Sequence, residues 1–399
     1  MRIEQIRIRQ VAVARAYATS AADRLEEGEA TAASTYQIIE LITDDGTVGL
    51  GEVSDIAGRM QPPTPDDLTD LLRPALVGAE ITEWRRARDS AAAAVPGEWH
   101  PEYRGLVRFG VEIALLDLAG KHYGAPVYEL LGGRVQDRLE VSWVAYIRGG
   151  EPADAEVASL EEEVGEKVAE GFRAFKLKVG ADHARDRERI RALRALAPDA
   201  YFKVDASGVW EEAEAIEKLR DMAEWGVDAC ESPIVAVNRS VANDDPERIN
   251  VRADEAALAL ARVRASAPME IIEHVADLSD GFSTALLRHR AVDVVNVIPS
   301  QGGGILRGQR LIHAAETAGV RVLLGSTIEM GPGTAAFLHL GVTSRAVSVP
   351  SDLVSPGLLV DDIVTPRFAF SAGTLSPSGG AGLGVSLDEA AMARLSVAR

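Results

Sequence analysis

From Leu139 to Val349 the chain repeats one pattern, a short apolar β-prone run followed by an Ala- and charge-rich stretch with helical spacing. The runs are Leu139–Ile147, Arg173–Val179, Tyr201–Ala206, Ala229–Pro233, Met269–Val275, Val292–Pro299, Arg321–Ser326 and Ala346–Val349. Parallel neighbours need crossovers of about a dozen residues or more, and eight such strands suffice to close a ring. The repeat therefore predicts an α/β parallel barrel of TIM type. One interval is too long for a single crossover, and the surplus, Val235 to Asn250, reads as an inserted loop.

The residues before the repeat follow another grammar. Residues 1–13, Tyr36–Thr43 and Thr47–Val53 alternate as strands, and Asp45-Gly46 is a hairpin turn, so a three-stranded antiparallel meander is expected. Helical periodicity follows in Asp66–Leu72, Thr82–Ala94 and Arg104–Tyr123. Two polar stretches without strand or helix spacing, Ala16–Ser34 and Ser54–Asp67, are expected to be loops. A formal charge of −19 excludes nucleic acid and anionic membranes as partners, both of which need a basic patch. A single cysteine, Cys230, allows no intrachain disulfide, and no apolar run reaches transmembrane length, so a cytoplasmic location is expected.

In a parallel barrel the chemistry sits at the C-terminal ends of the strands. Lys176 and Lys178 lie two apart in a strand and so share a face, where two ammonium groups roughly 7 Å apart repel one another. The next strands end in Asp205, Glu231 and Glu273. Three carboxylates at matched positions require a counterion, and an all-oxygen set suits a hard divalent cation, Mg²⁺ first. Asp254-Glu255 competes with Glu273 for the third place, but Glu255 opens an Ala-rich helical run where an acid is favoured anyway. A lysine acting as base near pH 7.5 must lose about three units from its usual pKa, roughly 4 kcal/mol, which a neighbouring ammonium and cation supply by repulsion.

The ordered set of Lys-x-Lys (176–178), Val-Asp-Ala-Ser-Gly-Val-Trp (204–210), Glu-Ser-Pro (231–233), Asp293 with Gly302-Gly303-Gly304, and Gly-Ser-Thr-Ile-Glu (325–329) resembles the mandelate racemase and muconate lactonizing enzyme branch of the enolase superfamily. Leu-Leu-Gly-Gly (130–133) and Gly-Leu-Gly-Val (382–385) match as well. The resemblance implies a modified (β/α)7β TIM-type barrel over 134–360, an α+β capping domain over 1–133 with mobile specificity loops, and a tail, 361–399, that completes the cap. It implies one Mg²⁺ per subunit on Asp205, Glu231 and Glu273, with Lys178 as base and Lys176 assisting. Glu329, Ser326, His274 and Arg148 are the candidate substrate contacts, Arg148 for a distal carboxylate. The expected partners are a small carboxylate substrate and further copies of the chain in a homo-oligomer.

One departure bears on the reaction. The muconate lactonizing branch usually carries a second lysine on the sixth barrel strand, and the matching position here is Ile298. Inversion at a carbon needs proton donors on both faces, whereas expulsion of a leaving group or ring opening and closure after abstraction needs one. The expectation is a dehydratase or cycloisomerase outcome. The alternatives are a racemase or epimerase of an amino- or hydroxy-acid derivative, and a catalytically degenerate ligand-binding member.

Overall fold

Three antiparallel strands, β1 (Ile3–Thr19), β2 (Thr31–Thr43) and β3 (Val48–Val53), form the expected meander in the computed structural model, which describes residues 1–20, 31–57, 60–148, 153–234, 246–275 and 280–397. β1 and β2 reach further than their polar sequences suggest. They pair through Ala14↔Ala33 and again at Thr19↔Thr31, so both ends of the stretch expected as a loop over Ala16–Ser34 are strand. Its middle, 21–30, lies outside the described residues. In the second expected loop, 58–59 lie outside them, and Thr64 already caps helix α1 (Pro65–Leu76) by accepting from the Asp67 amide. Helices α2 (Trp84–Ala94) and α3 (Pro101–Tyr123) follow. Proline at the first turn and a left-handed Gly124 at the end delimit α3. It lies directly on β3: a β-carbon on Gly51 would stand 2.0 Å from the Gly110 carbonyl oxygen. Only glycine permits that approach.

The barrel strands are β4 (Trp143–Ala145), β5 (Ala174–Lys178), β6 (Tyr201–Asp205), β7 (Ala229–Glu231), β8 (Glu270–His274), β9 (Val294–Val297) and β10 (Arg321–Leu324). They form one parallel sheet in sequence order. Between them run α4 (Ala153–Ala169), α5 (His183–Leu196), α6 (Glu212–Glu224), α7 (Pro246–Ser266), α8 (Asp280–Arg288) and α9 (Ile305–Ala318), and α10 (Gly331–Gly341) follows β10.

The eighth expected strand is not a regular one. Residues 346–352 instead bridge both edges, Val347 to Val322 beside β10 and Ser351 to Val141 before β4, both parallel, and so complete the ring of a (β/α)7β barrel. The first expected strand is split, with Leu139–Glu140 pairing antiparallel to Thr374–Leu375 rather than in the barrel. Of the expected insertion Val235–Asn250, residues 235–245 lie outside the described ones, and Pro246 already begins α7.

Core placement follows from both faces of a parallel strand being buried. Ala229, Ile272, Val294, Leu323 and Val349 pack together, and pairing places the first four on the inner face of the ring, whereas Val204, Cys230, Ile271 and Val295 belong to the large core that includes the helices. The C-terminal segment returns to the first unit: α11 (Glu389–Leu395) carries Glu389, 2.8 Å from Arg9 of β1, and the Val397 amide donates to the Gln10 carbonyl. Among the described residues, no helix is long and apolar enough to cross a membrane.

Candidate active site

Cross-strand register fixes which side chains share the lumen. Lys178 pairs with Asp205, Asp205 with Glu231, and Glu231 with Ile272, so these four project to one face near the C-terminal ends of β5 to β8. One inward position below, Lys176 pairs with Lys203. The Lys-x-Lys strand thus delivers both amines to the interior.

Those amines are not left to repel one another. Lys176 Nζ lies 3.0 Å from Asp205, 2.8 Å from Glu231 and 2.9 Å from Asp352. Lys178 Nζ donates to Asp205 Oδ2 at 2.6 Å, and Lys203 Nζ lies 2.9 Å from Asp352 and donates to the Pro350 carbonyl at 2.7 Å. Three ammonium groups face three carboxylates, and all of these side chains but that of Lys178 are buried. Burial alone would lower the pKa of Lys176, but Asp205, Asp352 and Glu231 outweigh it and drive it well above the usual lysine range. Burial would raise Asp205, yet Lys176 and Lys178 hold its carboxylate far below the ordinary range. Lys203 is pulled down chiefly by burial.

Asp352 is the residue that sequence reasoning missed. It follows the irregular eighth segment, where no strand pattern marks an inward position. Its only signal is an acid at the same end of the ring as the others. Asn296 was also without a role, and its Nδ2 donates to Glu231 Oε1 at 2.8 Å while its Oδ1 is buried without a hydrogen-bond partner. Beside it Gly325 must be glycine, because a β-carbon there would meet Asn296 Oδ1 at 2.4 Å and Ile298 Cγ1 at 2.7 Å. Lys203 is a buried ion partner of Asp352.

The remaining candidates separate into two groups. Glu329 sits among donors: Ser300 Oγ at 2.8 Å, the Thr327 amide at 2.8 Å, Thr327 Oγ1 at 2.6 Å and the Ser326 hydroxyl. Ser326 therefore serves Glu329, and the two form one cluster on the β10 side. Arg148 is committed elsewhere: it lies 3.0 Å from Glu163, with its guanidinium 3.8 Å over the Tyr17 ring, and is not gathered with the site residues. The expectation that Glu273 joins Asp205 and Glu231 on the inner face is not met either. Ile272 takes the inward position beside Glu231, and alternation turns Glu273 to the side of Ile271, where Ser232 Oγ and the His274 amide donate to it at 2.8 and 3.0 Å. His274 pairs with Asn296 and thereby faces the lumen. Asp254, the competing acid, lies on α7 with His289 2.8 Å away.

Three ordinary side chains next to site carboxylates adopt left-handed backbone, Ser207 (φ 53), Ser232 (φ 44) and Ile328 (φ 65). Such conformations cost about 1–3 kcal/mol each and concentrate where a site over-determines the chain. The Ser207 amide uses it to donate to Asp205 Oδ1 at 2.8 Å.

The first unit holds the Glu329 loop from behind. Tyr36 donates its hydroxyl to the Ile328 carbonyl at 2.7 Å. Glu52 of β3 accepts from the amides of Met330 at 3.0 Å and Gly333 at 2.9 Å, capping α10, whose own N-cap residue offers no side-chain bond. Burial pushes the Glu52 carboxyl up to about 8 against the pull of Ser54 and the Gly333 amide, and Glu329 and Asp362 nearby push the same way. Below that pH the folded chain keeps a proton that the unfolded chain, with a carboxyl near ~4.3, has released. Stability is therefore expected to fall as pH climbs from about 4.5 to 8, by up to about 1.4 kcal/mol per unit from this group. Urea midpoints of wild type and Glu52→Gln across that window check it, since the difference between them should carry the slope.

An ion is implied by the resemblance, but here the oxygens of Asp205 and Glu231 are taken by Lys176, Lys178, Ser207 and Asn296. Among the described residues, no three His, Cys, Asp or Glu side chains stand together closely enough to hold a metal.

Comparison with known proteins agrees with this architecture. Residues 17–132 match the family described as mandelate racemase / muconate lactonizing enzyme, N-terminal domain, and 159–391 match enolase C-terminal domain-like. Muconate cycloisomerase 1 of Pseudomonas putida is 30% identical over 367 residues, covering 90% of each chain. N-succinyl-L-Arg/Lys racemase of Bacillus cereus is 27% identical over 365 residues, again 90% of each. The crystal structure of muconate lactonizing enzyme from Pseudomonas fluorescens complexed with muconolactone superposes with a TM-score of 0.80 at 28% identity, covering 99% of both chains. Enzymes of this family are metal-dependent, and these relatives are isomerases. The chain belongs to the mandelate racemase and muconate lactonizing enzyme branch of the enolase superfamily.

Proposed function

We propose that the protein uses Lys178 to abstract the proton α to the carboxylate of a small substrate and completes the reaction on that face alone, as a cycloisomerase or by expelling a leaving group. The observation that carries this is the asymmetry of the lumen. Lys178 ends β5, and Ile298 follows β9, four places round a ring of eight segments and hence opposite it. Ile298 is 5% exposed and directed at Gly325, so an apolar wall stands where a second proton carrier would.

A divalent cation, Mg²⁺ in the first instance, would rest on Asp205 and Glu231 in place of the contacts described above, and when bound it lowers the energy of negative charge on the substrate carboxylate. Lys176, kept charged by its three carboxylates, adds positive potential behind Lys178. Lys178, with a side chain 17% exposed, is the amine at the open end of the pair and moves the proton. Glu329 and its hydroxyl donors orient the polar end of the substrate.

The racemase reading is favoured by the similarity to N-succinyl-L-Arg/Lys racemase, and one experiment separates the readings. The protein is incubated with Mg²⁺ in D2O with muconates and their lactones, N-succinyl amino acids, dipeptides and hydroxy acids, and followed by ¹H NMR. A new product without inverted, deuterated substrate supports the proposal. Inverted, deuterated substrate supports the racemase reading, and no change in any compound supports a degenerate site. A related outcome is expected of Ile298→Lys: an amine facing Lys178 should introduce α-deuterated substrate of inverted configuration, detectable by chiral chromatography and absent from wild type.

A further inference from the structure

Glu329 sits on a turn whose backbone is held in an unfavourable shape. Ile328, directly before it, is left-handed (φ 65), a conformation in which a β-branched side chain is rarely found. Ser326 and Thr327 donate to the Glu329 carboxylate but belong to the same turn and move with it. Ser300, from the β9 side, holds the carboxylate and not the backbone. What ties the backbone down comes from the first unit. Tyr36 of β2 donates to the Ile328 carbonyl at 2.7 Å, and Glu52 of β3 accepts from the Met330 amide at 3.0 Å. The residues on either side of Glu329 are therefore each bonded to a strand of the cap. The fit is close: a β-carbon on Gly333 would stand 2.8 Å from Cβ and Cγ of Glu329 and 2.9 Å from the Glu52 carboxyl carbon.

Tyr36 is itself fixed. It is fully buried and hydrogen-bonded to Ser34, whose Oγ accepts from Arg15 Nε at 2.9 Å, and Asp55 holds the Arg15 guanidinium at 2.8 and 2.9 Å. Burial pushes the Tyr36 phenol well above its ordinary range, so the hydroxyl remains a donor at any working pH.

We propose that Tyr36 is a positioning residue for Glu329, and that its bond to the Ile328 carbonyl holds the strained turn at the setting in which Glu329 orients the substrate. This rests on the role given to Glu329 above. Without that bond Ile328 has a buried carbonyl with no partner and a backbone that relaxes towards its ordinary basins, and the Glu329 carboxylate shifts with it. Small misplacements of an orienting group are felt in the rate more than in binding. The cap thus sets the geometry of the reaction through one hydroxyl, in addition to covering the barrel.

Tyr36→Phe removes that oxygen and little else. Hydrogen exchange of the full chain, read by mass spectrometry, should speed up over 325–334 and stay as in wild type over 201–206, which also shows that the barrel has folded. Ser34→Ala, which keeps the phenol and removes its neighbour, should act in the same direction more weakly. With the substrate identified by the NMR survey, Tyr36→Phe should lower kcat about 10-fold with a smaller change in KM. In a Glu329→Gln background the same substitution should change kcat less than about 2-fold, because both act through one carboxylate. Unchanged exchange over 325–334, or an equal loss of kcat in both backgrounds, overturns the proposal and leaves the role of Glu329 standing. Glu329→Gln with the turnover of wild type, or a wild type that turns over no compound, overturns that role and this inference with it.

Discussion

Lys178→Ala is expected to lower turnover of the substrate by about 10²–10⁴-fold, the usual contribution of a positioned general base, with little change in KM. The side chain is 17% exposed and its ammonium lies 2.6 Å from Asp205, which keeps Lys176 as a second cation. Removing it leaves no buried charge unpaired, so the thermal midpoint should stay near that of wild type. Lys178→Arg should not rescue activity, because a guanidinium stays protonated at any working pH. Steady-state kinetics beside a thermal melt checks both statements. A variant that loses activity and stability together would point to a structural lysine instead.

Asp352→Asn is expected to be the most destabilising conservative substitution in the site. Lys203 is 0% exposed and Lys176 4%, and Asp352 lies 2.9 Å from each amine. The amide keeps the shape and removes the charge, leaving two buried ammonium groups with one carboxylate fewer. Removing one member of a buried ion pair costs about 3–5 kcal/mol, most of it from the charge left behind. Urea midpoints at unchanged slope measure the loss. Asp352→Asn combined with Lys203→Met restores the balance and should recover most of it, which a packing defect would not. Asp352→Asn with stability equal to wild type would mean that the Lys176–Asp352–Lys203 chain is not a charged unit.

Much of this arrangement was legible before any coordinates. The Lys176/Lys178 pair, Asp205 and Glu231 follow from strand periodicity and from acids at matched strand ends, and the meander from one turn dipeptide. Glu273 was not legible because β8 lies in a parallel sheet buried on both faces. Its sequence, Glu-Ile-Ile-Glu-His, carries no alternation that says which acid looks inward. Only pairing with Glu231 and Asn296 resolves it. Asp352 escaped for another reason: its segment makes two bridges rather than a ladder, so it lacks the period that betrays a strand. The polar ends of β1 and β2 read as loop because the side chains they bury, Arg15, Thr19 and Ser34, are polar and bond one another. Arg148 is held by Glu163 and Tyr17, contacts that its place at a strand end does not reveal.

The central claim is one-face chemistry at Lys178, and the configuration of unreacted substrate tests it most directly. Substrate found by the NMR survey is allowed to react halfway in D2O, recovered, and resolved by chiral chromatography with mass detection. The account predicts that recovered substrate keeps its original configuration while product accumulates. Recovered substrate that is deuterated at the α-carbon and racemic would contradict it, since inversion requires a proton carrier on the side where Ile298 stands.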